Sequence, residues 1–574
     1  MIFPYSDPRM HGEGTFPWRF FRVYFEIVDQ LNQILLDTAA SLSPEAREKA
    51  SELTFTPARD PIHGDLATNA AMMLAKVVKK PPRDLADVFI KALAASPLVG
   101  RAEVAGPGFV NVFLSNQVLI DAMKQVLTVS EQYGRSKKYA GKKALVEFVS
   151  ANPTGPLHVG HVRGAIVGDT AASMLAAVGY EVTREYYYND AGVQMQMLGR
   201  SVQARYRQLM GVEAEFPENG YKGDYIRYIA AAVKTAKGDS FLQEESWQPF
   251  TEFAADVLMT IIMDDLRRLR VSFDTTFSER SLHESGAVKD TLDRLAKMGA
   301  TYEQEGALWL KTSEHGDEKD RVLVKSDGEP TYVTPDIAYH CQKYGRGYDL
   351  LVNVMGHDHH NQCERVKIAL SMFGYSLDSL HYLLNQMVSI ERGGEKIKLS
   401  TREGQFMTLL EMVTELGADV TRYFFAQRSY TSQMIFDWDL AKRQSMDNPV
   451  YYLQYVHARA CSIEEKANER GCSFSSQLDF DTVPLTGDRE RQLLLKLFFY
   501  PLVVMDAAER LEANQIPTYL EDLAKTFHTY YQVQRILDQD DPAGSRARLH
   551  LVLAVRQVMR NGLALLNVSA PNRM

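Results

Sequence analysis

The chain has 574 residues, of which 45% are hydrophobic, 24% charged and 10% aromatic. At roughly 150 residues per domain, that length predicts three or four domains, and the composition excludes a disordered or collagen-like chain. The net charge of −9 argues against indiscriminate coating of nucleic acid, and no stretch reaches the roughly 18 uncharged apolar residues of a membrane span.

Arg22 and Glu26 interrupt the N-terminal apolar stretch, which argues against a signal peptide, and Met1 to Thr15 reads as a start without regular structure. Residues 18–115 read as a small α+β unit. A helix is expected from about Phe20 to Ala40 and another from Leu66 to Val78, after the turn His63-Gly64-Asp65. A short strand, Ala102 to Ala105, meets Gly106-Pro107-Gly108, and Phe109 to Leu114 alternates as a second strand. Arg135 to Lys143 reads as a linker.

The mostly apolar run Ala144 to Val149 predicts a strand buried on both faces, followed by a loop from Ser150 to Val159. A small-residue helix is expected from Val162 to Val178, with Gly179 ending it, and then a strand from Glu181 to Tyr188. Strand, loop, helix, strand is the unit of a doubly wound parallel sheet. Residues 206–320 read as a helical, charged insertion. Sheet signals resume at Leu350 to Val354, with a helix from about Gln362 to Phe373 and a hairpin pairing Met387–Ile390 with Lys396–Leu399. From about Leu440 the pattern is almost purely helical.

The C-terminal part, 440–574, carries 16 Lys+Arg against 16 Asp+Glu, so the rest of the chain holds the whole negative balance. Beyond Asp541 come Arg546, Arg548, Arg556, Arg560 and Arg573 and no acid. A basic end on an acidic body suits a polyanion docked at one place, and equally a solvated helix face. The four cysteines, Cys341, Cys363, Cys461 and Cys472, are too few and too scattered for a disulfide scaffold or a zinc site. They fit a reducing, cytoplasmic setting.

The strongest chemical signal is His158-Val159-Gly160-His161, after a strand and opening a helix. A helix N-terminus attracts phosphate, and two imidazoles at i and i+3 can donate to phosphate oxygens as charge builds during nucleotidyl transfer. Gly160 leaves room for a flat base against the backbone. Alone, the tetrapeptide is equally two surface histidines near a turn.

The residues leading into it, Ala151-Asn152-Pro153-Thr154-Gly155-Pro156-Leu157, with the histidine block, resemble the first signature of class I aminoacyl-tRNA synthetases in its arginyl form. Tyr188 to Gln194, the stretches Arg59 to Lys76 and Ala105 to Asn111, and the ending Val568 to Met574 are similar to further blocks of the arginyl-tRNA synthetase family. The second class I signature is expected after the last sheet strand, where Lys398-Leu399-Ser400-Thr401-Arg402 stands. Leucine replaces methionine there and Thr401-Arg402 replace the second lysine region, so Lys396, Lys398 and Arg402 all remain candidates for the phosphate contact.

The resemblance implies a multidomain α/β protein: an elbow-binding α+β domain over 1–118, a Rossmann-like catalytic domain over 119–439 and an α-helical anticodon-binding domain over 440–574. It implies ATP with Mg²⁺, L-arginine and the tRNA for arginine as substrates, and activation that waits for tRNA. His158, His161, Lys398 and Ser400 would be catalytic, with Gly160, Met387 and Arg402 joining them around ATP. Asp336 would pair with the arginine guanidinium, with Tyr332 beside it; Glu147 and Asn152 would hold the α-amino end. Ser150, His359 and Gln362 would complete that pocket. Asn69, Phe109, Asn111, Tyr452, Arg459, Arg556 and Met574 would face tRNA.

Asp336 alone also reads as a carboxylate at a helix start, with Thr334 capping and Pro335 at the first position. Gly356-His357-Asp358-His359-His360 reads either as part of the pocket or, less favoured for want of a partner motif, as metal ligands. Tyr451, Tyr452 and Tyr455 read as bases' stacking partners or, for at least one face, as core. No bound metal and a monomer are expected. A cysteinyl-type enzyme, a small-molecule nucleotidyltransferase and a non-catalytic tRNA-binding paralogue are the alternatives. The first lacks its cysteines, the second would not need the flanking domains, and the third rests on the altered Lys398–Arg402 stretch alone.

Overall fold

The computed structural model describes residues 23–58, 60–190, 192–397, 407–471 and 485–574. Met1 to Thr15 and Cys472 fall outside the described residues. In the N-terminal unit, strands Thr56–Pro57, Leu66–Thr68, Phe109–Leu114 and Val99–Ala105 lie in that order as an antiparallel sheet. Helices Val23–Leu42, Pro44–Ala50, Ala70–Val78 and Pro82–Ala94 accompany it. The helix expected over Leu66 to Val78 therefore splits. Buried Asp65 accepts from the Leu114 amide (2.7 Å) and draws Leu66–Thr68 into the sheet, while the Thr68 hydroxyl receives the Ala70 amide (3.3 Å). Helices Pro82–Ala94 and Asn116–Val129 escaped the reading of turns, although Pro82 stands in the favoured first turn of its helix.

The central unit is built on a five-stranded, all-parallel sheet in the order Leu380–Asn385, Leu350–Gly356, Lys143–Glu147, Glu181–Tyr188, Thr275–Ser278. Chain order reverses between Lys143–Glu147 and Leu350–Gly356, which opens a crevice at the strands' carboxyl ends, the usual ligand site of such sheets. The stretch 206–320 is not uniformly helical. It supplies the edge strand Thr275–Ser278 and two strands of an antiparallel sheet made by Thr301–Gln304, Ala307–Leu310 and Arg321–Val324. Helices Val193–Leu209, Asp224–Lys237 and Gln248–Arg268 form their own apolar cluster. Charged neighbours flank those short strands, and the burial of Thr275–Ser278 and Thr301–Gln304 is only partial.

Helix Val159–Ala177 lies against the sheet and is buried almost all round. Small residues make that possible. A Cβ on Gly168 would stand 2.2 Å from the Phe148 ring, itself fully buried. Gly168→Ala is therefore expected to destabilise the protein by about 1–3 kcal/mol through overpacking. Chemical denaturation checks this, and an unchanged midpoint would refute the close contact.

The C-terminal unit packs helices Pro449–Glu469, Asp488–Arg510, Gln515–Val533 and Pro542–Leu565. Its first helix starts as its residues dictate: the Asn448 side chain caps Val450 N (3.0 Å) with Pro449 behind it. One apolar cluster runs from Tyr24 through the HxGH helix to Val568, so the three units share a core. Ion pairs cross the seams as well. Arg491 of the bundle meets Asp65 at 2.5 Å, and Glu509 of the bundle meets Lys138 at 2.5 Å.

Candidate active site

The chain between the central strand and helix Val159–Ala177 is strained. Val149 has φ +69° and Ser150 φ +44°, unusual for non-glycine residues and most of all for a β-branched one. Hydrogen bonds hold that shape. Ser150 Oγ donates to Glu147 Oε1 (2.9 Å) and accepts from Tyr187 N (3.3 Å). Asn152 accepts from Asn189 N (3.1 Å) and donates to Gln194 Oε1 (3.0 Å).

His158 is the N-cap, with extended backbone, and its Nδ1 accepts from Gly160 N at 3.1 Å. His161 Nδ1 accepts from His158 N at 3.2 Å. Both Nδ1 atoms are thus acceptors, so each neutral ring carries its proton on Nε2 as a donor. The rings stand 4.0 Å apart between centroids. Burial lowers the pKa of both, and His161, further depressed by its neighbour, falls to about 3. A Cβ on Gly160 would touch only the His158 ring, so the outer face of this turn is open.

Met407, Thr408 and Leu409 pair with the same turn: Val159 N donates to Met407 O (3.2 Å) and Leu409 N to Leu157 O (2.8 Å). On the other side the hairpin Val388–Arg392 with Glu395–Ile397 turns at Gly393-Gly394. The segment 398–406 between them, with Lys398, Ser400 and Arg402, lies outside the described residues. Met387, 82% exposed, follows the edge strand into the crevice. Its neighbour Gln386 is held by Arg163, a buried guanidinium of the HxGH helix that donates to Gln386 O (2.7 Å), Ser429 O and Ser432 O.

Across the crevice, helix Val333–Gly345 begins earlier than expected. Tyr332 is its N-cap, and buried Thr334 does not cap it but donates to Leu323 O (2.7 Å). Asp336 therefore sits within the first turn, where it accepts from Gln362 Nε2. Burial, with Glu147 and Glu279 nearby, pushes its carboxyl up to about 7 against the Gln362 hydrogen bond and Lys343. His359 reaches Gln362 only weakly, at 3.4 Å. Tyr332 is 76% exposed. Among the described residues no three His, Cys, Asp or Glu side chains are grouped so that they could hold a metal ion.

Three members of this cluster went unread in the sequence. Glu279, just past the edge strand, accepts from Tyr187 OH and from Asn189 Nδ2 (2.8 Å), and burial raises its pKa. Tyr187 packs against Tyr339 in a tilted pair, with ring centroids 4.6 Å apart. Lys343 bonds Glu147. A signal existed for Lys343 alone: it lies two helical turns beyond Asp336, on the same face. Glu279 had none, because its strand was hidden in the charged insertion.

Comparison with known proteins agrees with this geometry. The model described as "tRNA synthetases class I (R), catalytic domain" matches residues 122–424. "Arginyl tRNA synthetase N terminal domain" matches 26–114, and "DALR anticodon binding domain" matches 453–574. The arginine–tRNA ligase of Thioalkalivibrio sulfidiphilus is 43% identical, over 95% of this chain and 100% of its own length. The chain belongs to the arginyl-tRNA synthetase family. Arginine–tRNA ligase 1 of Halalkalibacterium halodurans is 42% identical over 96% of this chain and 99% of its own. The solved arginyl-tRNA synthetase of Thermus thermophilus shares the fold, with TM-score 0.72 and 22% identity over 95% of this chain and 100% of that one.

The parts of this synthetase-family chain expected to face RNA are variously placed. Asn69 and Phe109 are exposed, whereas Asn111 is buried at 4%. On the bundle, Tyr451, Tyr452 and Tyr455 are half-buried, outside the core made by Leu453 and Val456. Arg459 lies over the Tyr455 and Tyr531 rings at 4.6 and 4.7 Å, and Tyr452 packs on His528 at 4.5 Å. Arg556 pairs with Glu464 and Arg573 with Glu465, while Met574 is 46% exposed. No described helix is long and apolar enough to cross a membrane.

Proposed function

We propose that the chain activates L-arginine with ATP and transfers it to the 3′-terminal ribose of its tRNA, and that the residues above divide this work. The observation that carries the reading is the pairing, in one crevice, of two Nε2–H imidazole donors with a buried carboxylate cluster. ATP, entering as its magnesium complex, lies over Gly160 and beside Met387, with its phosphates at His158 and His161. Lys398, Ser400 and Arg402 belong to the loop that would close on the pyrophosphate.

The arginine carboxylate attacks the α-phosphorus, forming the mixed anhydride and releasing pyrophosphate. The ribose hydroxyl then attacks the carbonyl carbon, its proton is lost, and AMP leaves. No side-chain nucleophile is needed, so positioning and electrostatic stabilisation carry the rate. A guanidinium is a planar, permanent cation, which suits Asp336 and Gln362. Glu147 touches Lys343, which faces Asp336, as well as Ser150, so it borders the guanidinium as well as the α-amino group. Asn152 and Ser150 serve the latter.

Arginine binding requires Asp336 ionised, and its carboxyl in the empty pocket titrates at about 7. Affinity for arginine is therefore expected to fall about tenfold per pH unit below that value and to level off above it. Calorimetric titrations across pH check this, and a flat profile through pH ~6 would refute it.

The domain over 1–118 would touch the tRNA elbow, and 440–574 would read the anticodon through the Tyr455, Arg459 and Tyr531 surface. Bases stack readily on such rings. A cytoplasmic monomer fits this work. The test is ATP-dependent charging of unfractionated tRNA with each amino acid separately, with pyrophosphate exchange run with and without tRNA. Charging with arginine alone, and exchange only with tRNA, is the expected result. Binding of tRNA without any charging would favour a non-catalytic paralogue, and charging with another amino acid would overturn the Asp336 assignment.

A further inference from the structure

Lys343 is fully buried, an expensive place for an ammonium group. It donates to Glu147 Oε2 and to Asn353 Oδ1 (3.0 Å), and lies over the Tyr339 ring at 4.1 Å. Asn353 contacts His340 Nε2 at 2.6 Å, and Tyr382 OH stands 3.0 Å from the same nitrogen. The other Glu147 oxygen receives Ser150 Oγ. Buried ion pairs often stabilise a fold no more than an apolar pair of the same volume, so stability alone is weak ground for this charge.

We infer that Lys343 is a positioning residue of the guanidinium site: it fixes the Glu147 carboxylate and sets how many negative charges the empty pocket presents. This rests on the reading that Asp336 and Glu147 hold the guanidinium. Around Asp336 stand Glu147, Glu279, Cys363, Tyr187, Tyr382 and His340, with Lys343 as a cation facing them. Neighbouring carboxylates in a dry site cannot all ionise unaided. With the ammonium in place, Glu147 and Asp336 can both meet a cation with five donors. Without it, Asp336 keeps its proton and becomes an O–H donor. That form suits the carbonyl of a neutral ureido isostere such as citrulline better than it suits arginine.

The experiment measures arginine, citrulline and ATP binding to the full chain by calorimetry between pH ~6 and ~9, for the parent, Lys343→Met, Glu147→Gln and Asp336→Asn. Lys343→Met should bind arginine about tenfold or more weakly at neutral pH and recover as pH rises, with the levelling point displaced upward by ~1 unit. Its preference for arginine over citrulline should shrink while ATP affinity holds. Glu147→Gln should displace the levelling point downward, because the ammonium then acts on Asp336 without the opposing carboxylate. If Lys343→Met fails to fold, Lys343→Gln, which keeps a donor to Glu147 but no charge, gives the same reading. Displacements of the same sign, or none, with Asp336→Asn still abolishing arginine binding, would overturn the inference for Lys343 alone. Parent-like arginine binding by Asp336→Asn would instead sink the guanidinium assignment, and this inference with it.

Discussion

Replacing Arg422 with methionine is expected to lower stability by about 3–5 kcal/mol, the scale of stripping one partner from a buried ion pair. Arg422 is fully buried on helix Ala418–Gln427. It donates to Leu566 O (2.7 Å), to Leu269 O (2.9 Å) and to Asp169 on the HxGH helix. Burial lowers its pKa, and Asp169 opposes that effect. Asp169 also meets Arg184 at 3.3 Å and Asn567 at 2.8 Å. One carboxylate thus ties together the catalytic sheet, its first helix and the C-terminal segment. Denaturation of Arg422→Met, read by both far-UV and near-UV signals, gives the loss. Asp169→Asn/Arg422→Met should recover part of it, because the uncompensated carboxylate is gone. A loss below about 1 kcal/mol in the single variant would show that the guanidinium contributes only local packing.

The second large effect falls on catalysis. His161→Ala removes an Nε2–H donor from the place where phosphate charge develops, worth about 3 kcal/mol in the activation barrier, or roughly a hundredfold in rate. It also removes the acceptor for His158 N, which should cost about 1 kcal/mol of stability, as for other lost helix caps. Measuring pyrophosphate release beside thermal melting separates the two. Parent-like turnover in a folded variant would overturn the phosphate role.

The depressed pKa values have a further consequence of definite sign. His158, His161 and His340 stay neutral in the folded chain but protonate near 6.5 once unfolded. Stability is fully present above that value and falls as pH drops through it toward the folded values. Denaturation midpoints at pH ~7 and ~5 should therefore differ, with the acid sample weaker; equal midpoints would contradict burial of neutral rings.

Much of the site was legible in the chain before folding. The strand, loop and helix around His158 and His161 stand where the pattern placed them, with the helix starting at Val159 instead of Val162. Asp336, Gln362, Glu147 and Ser150 do converge. The errors have separate local causes. Leu66 to Thr68 was read as helix because its apolar residues continue those of Ala70–Val78, and Thr275–Ser278 was lost among charges. The Thr334 cap failed because a sheet carbonyl at Leu323 competes for its hydroxyl.

What the sequence determined by itself is local. His158 and His161 lie three residues apart at a helix start, so the hydrogen bonds their rings accept from Gly160 N and His158 N follow from the geometry of a single turn. Asn448 and Pro449 start their helix in the same way. The tertiary structure alone decided the charge of the pocket and the buried ion pair of Arg422. Lys343 reaches Glu147 across 196 positions of chain, and Arg422 reaches Asp169 across 253. Spacing within a turn constrains neighbours, but pairs this distant meet only once strand order and helix packing have placed them. A lone lysine or arginine in a helix reads as an ordinary solvated charge until its burial is known.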